Sequence, residues 1–130
     1  MEAANIYNQY KNQAVQTLTP SEMVVKLFDE TAKQIGIAIY ESEKDRVKSF
    51  NGIVKATRVL KELNSSLNMN IPISKDLRMM YEYLIEALYE MGGAGDTGGM
   101  QQLLLLVNEL KTVFRQAEKM ARLPKVSGGI

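Results

Sequence analysis

The sequence predicts an all-α protein, an antiparallel up-down four-helix bundle preceded by an N-terminal arm or short helix. Four segments of about 18 to 23 residues each place their apolar side chains on one helical face. The connections between them are short, which favours antiparallel neighbours. No alternating apolar–polar run is long enough to compete as a strand. We expect an arm over residues 1–19, one bundle domain over 20–123 and a flexible tail over 124–130.

The first helix is predicted over residues 20–40. Thr19 suits the N-cap, Pro20 suits the first helical position, and Glu22 completes a capping box. The predicted core face carries Val24, Leu27, Phe28, Thr31, Ile35 and Ala38. A short charged turn over residues 41–45 follows this helix.

The second and third helices are predicted over residues 45–67 and 74–91. Ser74 is a candidate N-cap for the third helix, since it follows Pro72 and precedes a charged first turn. The core face of the second helix carries Phe50, Ile53, Thr57, Leu60 and Leu67, with Ala56 and Leu63 at its edge. The core face of the third carries Leu77, Met80, Tyr81, Leu84, Leu88 and Met91.

A glycine-rich segment over residues 92–99 is predicted to be a loop, because each glycine in a helix costs about 1 kcal/mol relative to alanine. The fourth helix is predicted over residues 100–122. Its apolar residues are spaced alternately by four and three, which is typical of a coiled-coil seam. They are Leu103, Val107, Leu110, Phe114, Ala117 and Ala121.

Composition argues against catalysis and against a cofactor. The chain has no cysteine and no histidine, which excludes Cys or His zinc sites, disulfides, cysteine nucleophiles and Ser-His triads. Glu82, Glu86 and Glu90 stand one turn apart, but they lie opposite the predicted core face and are expected to be solvated. We therefore expect no enzyme activity, no cofactor and no metal.

Charge and hydropathy point to a cytoplasmic protein that does not bind nucleic acid. The 16 basic residues nearly balance the 15 acidic ones, and no basic cluster suggests a nucleic-acid partner. The N-terminus has no basic region followed by an apolar region, so it is not a secretory signal. The longest apolar run, Leu103–Val107, is too short for membrane insertion.

Three of the predicted helices carry more apolar residues than one core-facing stripe needs. The surplus residues are Val54 and Val59 on the second helix, Met79 and Tyr83 on the third, and Leu106, Val113 and Met120 on the fourth. The last three recur every seven residues. One interpretation is that wide stripes fill a thick core. The other is an apolar groove that binds a partner segment.

The N-terminal arm also contains apolar residues, namely Ile6, Tyr7, Tyr10 and Val15. We expect these residues to contribute to partner binding. They are too sparse for an independent element, so the arm either shields the groove when no partner is bound or packs permanently as a fifth helix.

Several stretches, in order along nearly the whole chain, resemble the flagellin export chaperones, the FliS family. The matching stretches are residues 5–10 with 15–20 (NIYNQY and VQTLTP), 23–30 (MVVKLFDE), 55–68 (KATRVLKELNSSLN) and 77–84 (LRMMYEYL). The chain departs from the family pattern at Leu18, Glu30 and Asn68, and Asn70–Ile73 replaces a Gly-Gly pair. These departures concern loop contacts more than the fold.

The resemblance implies a cytosolic protein that holds the disordered C-terminal segment of flagellin, prevents its premature polymerisation and delivers it to a flagellar export gate component. It also implies a bundle that is a monomer or a weak dimer. A generic helical-bundle adaptor or secretion chaperone with a different client is the main alternative. A homo-oligomeric coiled-coil scaffold is another.

Overall fold

A computed structural model describes residues 21–122, with the side chains of residues 22–119. It contains four helices: α1 (Ser21–Glu41), α2 (Arg46–Ser65), α3 (Pro72–Ala94) and α4 (Thr97–Arg122). Every regular element in this part of the chain is a helix, so the predicted all-α bundle is confirmed. The arm, the Thr19–Pro20 cap and the tail lie outside the described residues.

Seen along the bundle axis, the four helices follow one another around the core in chain order. Each helix packs against the helices before and after it, and α4 also packs against α1. Short connections make neighbouring helices antiparallel. The contact between α1 and α2 is the most extensive, and the contact between α3 and α4 is the least extensive. The bundle is therefore least tightly closed between α3 and α4.

The core is built from the predicted faces of all four helices. At its centre, the Phe28 ring stacks on Phe114 with 5.2 Å between centroids and lies 6.3 Å from Tyr81. Burial raises the pKa of Tyr81, which keeps its phenol neutral inside the bundle. Some predicted core residues are only half-buried at the edge of the core: Leu27, Phe50, Leu67, Leu77, Met80, Met91 and Leu110.

The start of α3 differs from the prediction. The helix begins two residues earlier, with Pro72 at its first position and Ile71 as an N-cap without a side-chain hydrogen bond. Ser74 is buried inside the first turn, and its hydroxyl donates to the Asn68 carbonyl at 2.7 Å. Proline needs no partner for a backbone N–H, so it starts the helix, and Ser74 ties the preceding loop to it. The prediction of Ser74 as the N-cap is wrong.

The predicted glycine loop over residues 92–99 is also wrong, because α3 continues to Ala94 and α4 begins at Thr97. Gly95 has φ 68°, a left-handed conformation that ends α3. The Gly95 and Asp96 N–H groups donate to the carbonyls of Gly92 and Met91. Asp96 Oδ1 accepts from the Gly99 N–H at 2.9 Å at the start of α4. These caps offset the low helix propensity of the glycines.

Arg46, the first residue of α2, further stabilises this connection. Its guanidinium donates to the Gly93 carbonyl at 3.0 Å, where the last carbonyls of α3 lack helical partners. A cation at a helix C-terminus also interacts favourably with the helix dipole. The glycine-rich segment is thus held as helix by contacts between helices that are distant in sequence.

We predict opposite effects for alanine at two adjacent glycines of α3. A Cβ at Gly92 would lie 2.5 Å from Ile53 Cγ1 in α2, whereas a Cβ at Gly93 would meet nothing within 4 Å. Gly93→Ala should stabilise the fold by about 0.5–1 kcal/mol through helix propensity. Gly92→Ala should destabilise it by about 1–2 kcal/mol, because overpacking exceeds the propensity gain.

Urea unfolding of both variants beside the unchanged protein measures these effects. Gly36→Ala serves as a second control, since a Cβ there would also meet nothing within 4 Å. Equal midpoints for Gly92→Ala and Gly93→Ala would show that α2 and α3 are not in close contact at this point.

Candidate partner-binding groove

Two apolar side chains on α3 are largely solvent-exposed beside α4. Met79 is 63% exposed and Tyr83 is 53% exposed. Two depressions, of about 370 and 360 Å³, lie between these helices and share Tyr83 and Leu106 in their linings. Together they form one continuous surface, which we call the α3–α4 groove. Its other lining residues are Asp76, Met80, Met91, Gly98, Gly99, Gln102 and Leu103.

Each side of the groove is formed by residues spaced three or four apart. The α3 stripe consists of Asp76, Met79 and Tyr83. On α4, Gln102 and Leu106 line the groove. This spacing keeps the residues of each side on one face of their helix. Asp76, Met79, Tyr83 and Gln102 are exposed, and Leu106 is half-buried.

The dimensions of the groove suit a short helix. Met79 and Met91 lie near opposite ends of the lining and are twelve residues apart on α3. At 1.5 Å per residue, this separation is about 18 Å, or about three turns of helix. The groove is mainly apolar at its Met79 end and more polar at its Met91 end, where Gly98, Gly99 and Gln102 contribute to the lining. Its methionines can adapt to the shape of a partner side chain. The groove therefore provides a surface against which a partner can pack, and not a set of reactive groups.

The structure brings together only part of the predicted binding set. Met79, Tyr83 and Leu106 meet at the groove. Val113 lies on the same face of α4, one heptad beyond Leu106. Val54 and Val59 are half-buried on α2 and, being five residues apart, point about 140° away from each other. Neither lines the groove. The side chain of Met120, and Ile6, Tyr7, Tyr10 and Val15 of the arm, lie outside the described residues.

Several groove residues were not identified from the sequence as binding residues. Met80 and Met91 were assigned to the core face, and they do pack against the core while also lining the groove. Asp76 and Gln102 were not singled out. The signal that could have identified Asp76 is its spacing of three residues before Met79, and the signal for Gln102 is its spacing of four residues before Leu106.

The opposite flank of α3 has a depression of different character, of about 380 Å³, lined by Glu82, Ile85, Glu86 and Tyr89. The Tyr89 hydroxyl is 3.0 Å from the Thr57 hydroxyl, and its ring is 6.2 Å from Phe50. The hydrogen bond with Thr57, together with Lys61, lowers the pKa of Tyr89 against the opposing effect of desolvation. The Tyr89 hydroxyl in this depression is therefore already paired with Thr57 of α2.

Residues 21–122 show neither a metal site nor a membrane span. No group of three or more acidic side chains in this part of the chain is arranged to hold a metal ion. Glu82, Glu86 and Glu90 are exposed on the outer surface of α3. Among the described helices, none combines the length and apolar character needed to cross a bilayer.

Two comparisons relate this chain to known proteins. The family model described as "Flagellar protein FliS" matches residues 3–121. The chain is also 31% identical over 132 residues to the "Flagellar secretion chaperone FliS" of Bacillus subtilis (strain 168), covering 100% of this chain and 99% of that relative. Both matches span the whole bundle, including the groove. The chain therefore belongs to the FliS family of flagellar proteins.

Proposed function

We propose that this protein is a cytoplasmic export chaperone that binds the disordered C-terminal segment of flagellin. It prevents premature polymerisation of flagellin and supports its delivery to a component of the flagellar export gate. Membership in the FliS family supports the role in flagellar export. The observation that carries the binding proposal is the α3–α4 groove, where Met79 and Tyr83 expose large apolar side chains.

The groove has the properties that temporary binding of an unfolded segment requires. A groove about three turns long with a mainly apolar end can bury one face of an amphipathic helix. A disordered segment that folds on binding loses conformational entropy at that moment, which moderates its affinity. Moderate affinity allows release to the export machinery. An open groove with few polar contacts is therefore better suited to a chaperone than a deep, specific pocket.

The surplus apolar residues could either fill a thick core or line a partner-binding groove, and the burial of each side chain helps to distinguish the two. Leu106 packs against the core and also lines the groove, so it joins the two surfaces. Met79 and Tyr83 are too exposed to be core residues. The groove interpretation thus rests mainly on α3, with α4 supplying the opposite side.

The direct test is to mix the protein with a synthetic peptide of the flagellin C-terminal segment from the same organism. We expect a complex of one chaperone and one peptide by light scattering, with a gain in helical circular dichroism over the sum of the free components. A peptide of the same composition in scrambled order should produce neither effect. If the flagellin peptide behaves like the scrambled one, the client is another protein. Light scattering of the free chaperone tests the expected monomer or weak dimer.

A further inference from the structure

We infer that Met79 is a site of reversible oxidation, and that conversion of its thioether to a sulfoxide by a peroxide weakens binding in the α3–α4 groove. This inference rests on the proposed function, because the bound client segment supplies the readout. It follows from where the methionines of the chain lie and from how far each side chain is exposed.

Methionine is enriched in the lining of the groove. It accounts for three of the ten lining residues, against eight of the 130 residues of the whole chain. The three are Met79, Met80 and Met91. The chain has no cysteine, so the methionine thioether is the side-chain group that dilute peroxide oxidises most readily. Oxidation of this chain therefore bears directly on the groove.

Met79 is the most exposed methionine among those whose side chains the structure describes. It is 63% exposed, compared with 47% for Met23 and 43% for Met69. The other two groove methionines, Met80 and Met91, are half-buried against the core. A thioether in contact with solvent is oxidised faster than one packed in the interior, because the peroxide must reach the sulfur. Met79 is therefore expected to react first among the groove methionines.

The reaction transfers one oxygen atom to sulfur. A sulfur lone pair of Met79 attacks one oxygen of hydrogen peroxide, an S–O bond forms and the O–O bond breaks. The proton of the transferred hydroxyl group passes to the departing hydroxide, which leaves as water. Sulfur is oxidised by two electrons and the peroxide is reduced by two, so no other reactant is needed. Methionine sulfoxide reductases, with a thiol as reductant, reverse the change.

The sulfoxide changes the mainly apolar end of the groove, which Met79 lines together with Asp76, Met80, Tyr83 and Leu106. The added oxygen is a hydrogen-bond acceptor, and the apolar face of a bound helix offers it no donor. Tyr83 is the only side chain in this lining that has a neutral donor. A client that covers the sulfoxide removes water from its oxygen, which costs free energy. The oxidised groove is therefore expected to bind an apolar helix face more weakly.

Oxidation at Met79 should leave the fold intact. The side chain lies on the surface of α3, where a sulfoxide stays in contact with water in the free protein. Met100, in contrast, is fully buried, and a polar sulfoxide there would disrupt the core. A loss of binding without a loss of stability therefore distinguishes oxidation of Met79 from oxidation of the core.

Treatment of the full chain with dilute hydrogen peroxide, stopped by an excess of free methionine, tests the order of reaction. Fragmentation mass spectrometry of the digested protein assigns the added oxygen to individual methionines. Met79 should be oxidised several-fold faster than Met80 and Met91, and Met100 should stay unmodified while the protein is folded. Oxidation of Met80 or Met91 before Met79 would overturn the inference.

Titration calorimetry with the flagellin C-terminal peptide, in which norleucine replaces any methionine, tests the effect on binding. Protein oxidised at Met79 should bind the peptide about tenfold more weakly than untreated protein. Methionine sulfoxide reductases that act on both sulfoxide epimers should restore the affinity. Urea unfolding of the same samples should give equal midpoints. A lower midpoint after oxidation would place the change in the core and overturn the inference.

Two leucine variants assign the effect to one sulfur. Met79→Leu has no thioether at this position, so the same limited peroxide treatment should leave its affinity at its own starting value. Met69→Leu removes another exposed methionine, from the connection between α2 and α3 and outside the groove lining. It should still lose about tenfold in affinity after treatment. Equal peroxide sensitivity of the two variants would overturn the inference.

The binding data distinguish a failure of this inference from a failure of the proposed function. A flagellin peptide that binds oxidised and untreated protein equally well keeps the chaperone function and overturns the inference. A peptide that binds neither form contradicts the proposed function, and it overturns the inference as well, because the oxidation acts on that binding.

Discussion

Replacing Phe28 with alanine is expected to lower the free energy of unfolding by about 3–5 kcal/mol. The Phe28 side chain is fully buried on α1, stacks on Phe114 of α4 and lies beside Tyr81 of α3. Its removal would leave a cavity where three of the four helices meet. Rigid helices on each side can refill such a cavity only in part, so the lost contacts are not replaced.

Urea unfolding followed by circular dichroism measures the loss. Tyr40→Ala on the same helix is the matched control, because Tyr40 is 65% exposed. Its replacement loses only an exposed contact with the Lys44 ammonium, 3.8 Å above the ring, and should lower the free energy of unfolding by no more than about 1 kcal/mol. The two variants should unfold at clearly different urea concentrations. Similar midpoints would mean that the aromatic cluster does not hold the three helices together.

The four helices could be predicted because amphipathic periodicity is a local property of the sequence. The core residues of α1, such as Phe28 and Ile35, and those of α4, such as Val107 and Phe114, lie on the expected faces. The connection between α3 and α4 could not be predicted in the same way. Propensity opposes helix at residues 92–99, and the interactions that outweigh it include the hydrogen bond from Arg46 of α2 to the Gly93 carbonyl. Such contacts depend on the tertiary structure.

The groove was partly predictable for a similar reason. Surplus apolar residues on α3 and α4 identified Met79, Tyr83 and Leu106, because periodicity shows which residues fall outside a single core stripe. Periodicity does not show which neighbouring helix an off-stripe residue faces. Val54 and Val59 met the same criterion on α2, yet they do not line the groove. Which helix such a residue faces depends on the order of the helices around the bundle, which is a property of the tertiary structure.

Replacing Met79 with glutamate is expected to weaken binding of the flagellin segment by at least about 30-fold, a loss of about 2 kcal/mol. Met79 is an exposed apolar residue in the middle of the α3 stripe. A glutamate there removes an apolar contact, places a charge against the apolar face of the bound helix, and must be desolvated on binding. Because the side chain is exposed in the free protein, stability should change by no more than about 0.5 kcal/mol. Titration calorimetry and urea unfolding of the same sample measure both quantities.

Leu105→Glu is the control that separates the groove from general surface charge. Leu105 is 64% exposed on α4, beside Leu106 in sequence but about 100° away around the helix and outside the groove lining. It should leave both binding and stability nearly unchanged. Leu106→Glu is less suitable, because Leu106 is half-buried against the core and its replacement would also destabilise the bundle. If Leu105→Glu reduces binding as much as Met79→Glu, the client covers a wider surface of the bundle. If Met79→Glu retains full binding, the client lies elsewhere.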